Sequence, residues 1–427
     1  MVDYLSYSKE QLKEEKEALQ KLYDEFKARR LKLDMSRGKP GVDQTDLSLG
    51  LFDVLSSHTG FRAENGLDCR NYGLLDGLPE MKRLFGELLE VPEQDVFVAG
   101  NSSLNLMFDC IASMMEQGAG GHEPWNKQGN IKFLCPSPGY DRHFGITEYF
   151  GIEMIPVAMT GFGPDMDEVE RLVASDDKIK GIWCVPKYSN PLGITYSDET
   201  VRRFANLKPA APDFRIMWDN AYCAHDITET PDRLLSLYGE CKKAGSEEMV
   251  LYFCSTSKIT FPGSGVAAFA ASEKNMKEFK RRYSFQTIGF DKLNQLRHIR
   301  YFKDYDGLIS HMGLHKQVLR PKFEAVLSIL ERELQGKGIA KWTRPNGGYF
   351  VSVNVLSGCA KRVVSLCKEA GVVLTPAGAT YPLGKDPNDS NIRLAPTYPP
   401  VSELVLAMDL FCICVRLAAA EKLLNRQ

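Results

Sequence analysis

An α/β fold, with a large domain built on a mostly parallel seven-stranded sheet and a smaller C-terminal α/β domain, is predicted by three observations. Short apolar runs alternate with helical stretches from about residue 80 onward. Several of those runs end in Gly, Pro, Asn or Asp just before the next helix. A chain of 427 residues can also bury one large core and one smaller one.

The elements follow in order. Residues 8–32 are rich in Lys, Glu, Leu and Ala, and Leu12, Leu19, Leu22 and Phe26 recur at helical spacing. This predicts an amphipathic helix packed on a domain or on a partner subunit. A loop with Gly and Pro follows at 36–41. The seven strands of the large sheet are expected at 96–99, 132–135, 153–157, 181–185, 215–218, 249–254 and 266–271, with a helix at 104–115 after the first. A long helical region covers about 273–335. The small unit has strands at 349–355, 372–375 and 392–394 and a closing helix at 401–424. The expected division is an N-terminal helix and arm (1–45), a large domain (46–320) and a small domain (321–427), joined by a continuous helix.

Composition narrows the function. Formal net charge is −2, and the short basic run Lys280-Arg281-Arg282 reads as a solvated helix face, so nothing favours nucleic acid or a membrane surface. The eleven cysteines include no Cys-x-x-Cys pair, which reads as reduced, buried thiols rather than a metal site or a disulfide framework. No secretion signal and no apolar run of transmembrane length is visible, so the expected location is cytoplasmic.

In sheets of this kind ligands bind beyond the carboxyl ends of the strands, and the chemistry-bearing residues fall there. An apolar run delivers Lys258 between Ser255, Ser257 and a Gly-rich loop at 261–265. A lysine with a lowered pKa held beside hydroxyls and loop amides suits a Schiff-base enzyme carrying pyridoxal phosphate. Such an enzyme needs a carboxylate for the pyridine nitrogen, and Asp219 ends a strand with Tyr222 three residues on. As an alternative, Asp219 is a helix N-cap. Asn190 lies in an Asn-Pro-x-Gly turn that can aim an amide into a site. Gly100-Asn101-Ser102-Ser103 opens a helix, where amides and hydroxyls bind phosphate. Tyr140 is placed to stack on a ring, or is core. Arg393 sits in an apolar strand and suits a carboxylate, or a structural ion pair.

Together these residues resemble the fold-type I, class I aminotransferases that use pyridoxal phosphate. The order is Tyr72…Gly77-Leu78-Pro79, Asn101-Ser102-Ser103, Pro138-Gly139-Tyr140, Asn190-Pro191-x-Gly193, Asp219-x-x-Tyr222, Ser255-x-Ser257-Lys258 and Arg393, over about residues 35 to 400. The run Ser257 to Ala267 looks most like the divergent bacterial aspartate aminotransferases, whose cofactor domain is similar to that of MocR-type regulators. The resemblance implies that Lys258 is the Schiff-base lysine and proton shuttle, and that Asp219 pairs with the ring nitrogen. It further implies that Asn190 and Tyr222 bond the ring oxygen and Tyr140 stacks. Asn101, Ser102, Ser103, Ser255 and Ser257 would surround the phosphate. Tyr72 would reach the neighbouring subunit's phosphate in a homodimer with shared sites. Arg393 would hold the substrate α-carboxylate under a loop containing Gly38.

One position departs from the pattern: most relatives carry an arginine eight residues after the lysine, and here it is Val266. Ser255, Ser257, Ser264 and loop amides are expected to compensate. Arg37 and Lys39, flanking Gly38, are the candidates for a distal carboxylate, or are ordinary loop charges. The expected activity is amino transfer between L-aspartate and 2-oxoglutarate, with small amino and oxo acids as partners and no metal. Competing readings are a β-lyase, an aromatic, alanine or broad-specificity aminotransferase, or a regulator module. For the last, the roughly 35 residues before the motif-bearing segment are too few for a winged-helix domain.

Overall fold

The computed structural model describes residues 3–425. Among the described residues twelve strands occur in chain order: β1 (Leu33–Asp34), β2 (Val96–Val98), β3 (Lys132–Ser137), β4 (Glu153–Ala158), β5 (Ile179–Cys184), β6 (Arg215–Asp219), β7 (Val250–Ser255), β8 (Ala267–Ala271), β9 (Ala340–Trp342), β10 (Val351–Val355), β11 (Val372–Val373) and β12 (Asn391–Leu394). Seven of them form one sheet in the order β2-β8-β7-β6-β5-β3-β4. The strands β3 to β7 pair in parallel, and β8 runs antiparallel to both β7 and β2. Both faces of this sheet are covered: Val96, Val98, Leu134, Ile182 and Trp218 pack on one side, Phe97, Phe133, Trp183 and Phe253 on the other. Burial on both sides explains the near-continuous apolar strands that made the sheet readable.

The reversal of β8 is not visible in the sequence, because a short apolar run carries no direction. Its consequence is local. Adjacent antiparallel strands need no crossover helix, so residues 256–266 close directly from β7 onto β8 and carry Lys258 on the way.

A second sheet, β12-β10-β9, is antiparallel, and β1 pairs in parallel with β11. Strands β1 and β9, two and three residues long, were missed in the sequence. The N-terminal helix spans Lys9–Ala28 and starts from a Ser8/Gln11 capping box. Its buried stripe is Leu12, Leu19, Tyr23 and Phe26, whereas Leu22, expected in the stripe, is exposed. The stripe packs on the closing helix Val401–Leu424, where Arg416 bridges to Glu15 at 2.7 Å. The single expected helical region 273–335 is three helices, Glu273–Gln286, Lys292–Phe302 and Tyr305–Leu334. Thr287 is extended, Lys303 adopts positive φ, and the Asp291 and Asp304 side chains each cap the helix that follows. The last of these helices runs on from the large-sheet side into the core of the small sheet.

None of the eleven cysteines is in a disulfide, and all but Cys223 are buried. Among the described residues no helix is long and apolar enough to cross a membrane, and no group of His, Cys, Asp and Glu could hold a metal ion.

Candidate active site

The carboxyl ends of β3, β5, β6 and β7 open on a cavity of about 770 Å³, closed on its other side by the 36–39 loop, Phe350 and β12. Lys258 ends a short turn, Thr256–Lys258, directly after β7. Thr256 clasps the loop that carries it: its N–H donates to Val266 O (2.8 Å), and its Oγ1 accepts from Val266 N (2.9 Å). Val266 is therefore fully buried at the base of the loop, which accounts for an apolar residue there. The Lys258 carbonyl accepts from Tyr349 Oη at 3.3 Å and faces His225 Nε2 at 3.2 Å. Burial pushes the Lys258 ammonium below the ordinary lysine range, with the Asp219 carboxylate acting against that shift. A turn held at three points thus presents an amine that gives up its proton more easily than a surface lysine.

Asp219 ends β6 and is buried. His143 Nε2 lies 3.1 Å from its Oδ2, and Oδ1 has no partner among the described residues. His143, on the helix Asp141–Tyr149, is stacked on Trp183 with centroids 4.4 Å apart and planes 11° apart. A buried carboxylate oxygen without a donor is costly, so Asp219 is built to receive an N–H. Tyr222 lies beneath Lys258, whose Nζ is 4.8 Å from its ring centroid. Burial first, then Tyr140 and Asp219, push the Tyr222 phenol well up, so it remains an O–H donor at neutral pH. Burial likewise pushes Tyr140 up to about 12.

Arg393 enters from β12. Its Nη1 donates to Asn190 Oδ1 (3.0 Å) and to Asp141 Oδ1 (2.9 Å), and its guanidinium lies 4.9 Å over the Phe350 ring. Guanidinium only donates, so this contact orients the Asn190 amide: the oxygen faces Arg393, and the NH₂ is left to bond another group. A Cβ on Gly38 would collide with the Phe350 ring, so glycine is what lets the 36–39 loop lie against that ring.

Ser102 caps the helix Ser103–Gln117 without a side-chain bond, which leaves first-turn amides and its own hydroxyl unused. Ser255 Oγ donates to Ser257 Oγ (3.1 Å), and Ser257 Oγ donates to Asn101 O (3.0 Å). Ser102, Ser103, Ser255 and Ser257 line the cavity.

Most of the residues read from the sequence therefore meet in one cavity, and two, Asn101 and Ser264, do not behave as expected. Asn101 contributes its carbonyl, while its residue is exposed and outside the lining. Ser264 does not line the cavity and instead accepts from Arg297 Nη2 at 2.7 Å. Tyr72 is 79% exposed and lies outside the lining, so within one chain it serves no part of this site. Arg37 and Lys39 do line the cavity; neither has an ion-pair partner among the described residues, and Lys39 Nζ sits 3.8 Å over the Tyr398 ring. The sequence reading missed His143, Asp141, Arg142, Thr375 and Phe350. Only His143 had a usable signal, one helical turn after the Pro-Gly-Tyr motif.

The family model described as aspartate amino-transferase matches residues 7–427. The chain is 46% identical over 410 residues to the aspartate aminotransferase of Corynebacterium glutamicum, covering 96% of this chain and 94% of that one. A solved aspartate transaminase from the same species superposes with a TM-score of 0.96 at 44% identity, covering 99% of each chain. The α-aminoadipate aminotransferase of Thermus thermophilus, at 20% identity and TM-score 0.71 over 94% of this chain and 95% of that one, shares the fold. The chain is an aminotransferase and belongs to the aspartate amino-transferase family, within the fold-type I class that uses pyridoxal phosphate.

Proposed function

We propose that the protein moves the amino group of L-aspartate to 2-oxoglutarate, with pyridoxal phosphate held by Lys258. The observation that carries the cofactor assignment is the unpartnered, buried Asp219 Oδ1 in the same cavity as a desolvated lysine. A protonated pyridine nitrogen is the donor that Asp219 lacks. The remaining groups fit as well: Tyr222 Oη and the Asn190 NH₂ are donors for a ring oxygen, and Tyr140 offers a ring face. Ser102, Ser103, Ser255, Ser257 and the helix amides make a phosphate nest without an arginine. Bound there, the cofactor would supply an aldehyde for the amino group and a ring that withdraws electrons from the α-carbon.

The protein's own part is positioning and proton transfer. Arg393 holds the substrate α-carboxylate, which orients the α-C–H bond. Lys258 Nζ, whose hold on its proton burial weakens, is placed to take the α-proton and to return a proton to the carbon on the far side of the transferred nitrogen. Asp219, braced by His143, keeps a proton on the group facing it. Arg37 and Lys39, as unpaired cations on the cavity wall, are the proposed distal-carboxylate partners. The aspartate aminotransferase relative at 46% identity supports the choice of amino acid. We also place the protein in the cytoplasm as a homodimer in which Tyr72 serves the partner's site, with arm, large and small domains at 1–45, 46–320 and 321–427.

The test is the absorption spectrum of the purified protein before and after L-aspartate, with no oxo acid present. A visible band that moves to the near ultraviolet supports cofactor, lysine and substrate together. A visible band that persists with aspartate overturns the substrate, and no band after added cofactor overturns the whole reading.

A further inference from the structure

Arg393 already holds a carboxylate, and it is the protein's own. Each guanidinium Nη carries two N–H bonds, and both on Nη1 are engaged, one by Asn190 Oδ1 and one by Asp141 Oδ1. The Nε–H points at Thr375 Oγ1 at 3.4 Å, and that buried hydroxyl is fixed by donating to Ser36 O at 2.6 Å. Only Nη2 has no partner among the described residues.

An incoming carboxylate takes an arginine fork through two parallel bonds. The Nε/Nη2 edge is obstructed by Thr375, which leaves the Nη1/Nη2 end. That approach requires one of the two Nη1 bonds to be surrendered. Asn190 is 5% exposed and anchored in its turn by Ser189 N–H to Ile194 O (2.8 Å) and Gly193 N–H to Ser189 O (2.6 Å). Asp141 is the first residue of its helix, and its side chain is 37% exposed, so it can swing into water and recover hydration.

We propose that Asp141 is an internal competitor for the substrate-binding arginine: it occupies Arg393 in the free protein and must be displaced by the substrate carboxylate. This rests on Arg393 being the carboxylate clamp. Asp141 then does two things. It neutralises a guanidinium that is only 6% exposed while the site is empty, and it sets the affinity threshold that any carboxylate ligand must exceed. The sign of its effect separates this role from that of a brace: removing a brace weakens ligand binding, and removing a competitor strengthens it.

The experiment is calorimetric titration of succinate, an unreactive dicarboxylate, into cofactor-loaded wild type, Asp141→Asn, Asp141→Ser and Arg393→Gln, with melting temperatures taken with and without succinate. The expected result is a Kd for succinate lower by about fivefold in both Asp141 variants, matching the scale of a partly exposed ion pair. Their melting temperatures without succinate should be lower than wild type, and their rise on adding it larger. An unchanged or raised Kd in either folded Asp141 variant, with succinate binding lost in Arg393→Gln, overturns the competitor role and leaves the clamp intact. Succinate binding that survives Arg393→Gln overturns the clamp, and the competitor role with it.

Discussion

Asn190 serves two groups with one side chain. Its oxygen is committed to Arg393, so its NH₂ is the end available to an acceptor across the cavity. Asn190→Asp would remove that donor and add a second carboxylate to the guanidinium. We expect this variant to lose carboxylate binding in the succinate titration while keeping its fold. Lys258→Ala should lower turnover by about 10⁴-fold or more, since it deletes both the proposed attachment point and the proposed proton carrier; a variant that still transaminates normally would remove the central claim. Asp219→Ala should lower activity by about 10²-fold with cofactor still bound, the scale of removing one preorganised charge; unchanged steady-state rates would mean another group faces the ring nitrogen. These residues were legible because each sits in a turn or at a strand end, where composition betrays geometry. Asp141 and Phe350 were not, because an acid in a first helical turn, or a phenylalanine before a strand, has an ordinary explanation that sequence alone cannot displace.

At the scale of elements, the Lys258 turn is backed by buried histidines. His298, on Lys292–Phe302, donates from Nδ1 to Asn294 O (2.8 Å) and receives the hydroxyls of Thr256 and Thr260 at Nε2 (3.2 and 2.9 Å). His315, on Tyr305–Leu334, meets Gln44 and His311. Burial pushes both imidazoles from 6.5 down to about 4. Between those values the unfolded chain binds protons that the folded one does not, so stability is full above pH 6.5 and falls as pH drops toward about 4. Each group should account for about 3 kcal/mol across that window. Denaturant unfolding at several pH values checks this, and His298→Gln should flatten the slope. In the 36–39 loop, Gly38→Ala should raise KM, and Phe350→Leu in the same chain should restore part of it, because the collision is with that ring. The elements themselves were predictable where apolar runs were long. The breaks in 273–335 and the direction of β8 were not, since they depend on capping side chains and on strand neighbours far away in sequence.

At the scale of the molecule, the cavity is a seam. Lys258, Asp219 and Asn190 come from the large sheet's carboxyl edge, and Arg393 comes from the antiparallel sheet, so the site exists only where two cores meet. Tyr72 extends the same logic to a second copy. If it serves the partner, mixing Tyr72→Ala with Lys258→Ala subunits should produce activity above either parent, since each hybrid dimer keeps one complete site. Mixtures no better than the parents would place Tyr72 outside the chemistry.

The reversed strand β8 has a consequence for how this scaffold tolerates change. The segment from Thr256 to Val266 begins and ends on the same pair of hydrogen bonds, which makes it a closed ring of chain. An added or deleted residue inside such a ring cannot be passed along to a neighbouring helix, as it could in a crossover connection. It must be taken up between two fixed points, with the lysine two positions from one of them. Length variation should therefore be excluded from this segment even where its side chains are free to vary, and insertions should collect instead in the exposed turns at the opposite edge of the sheet.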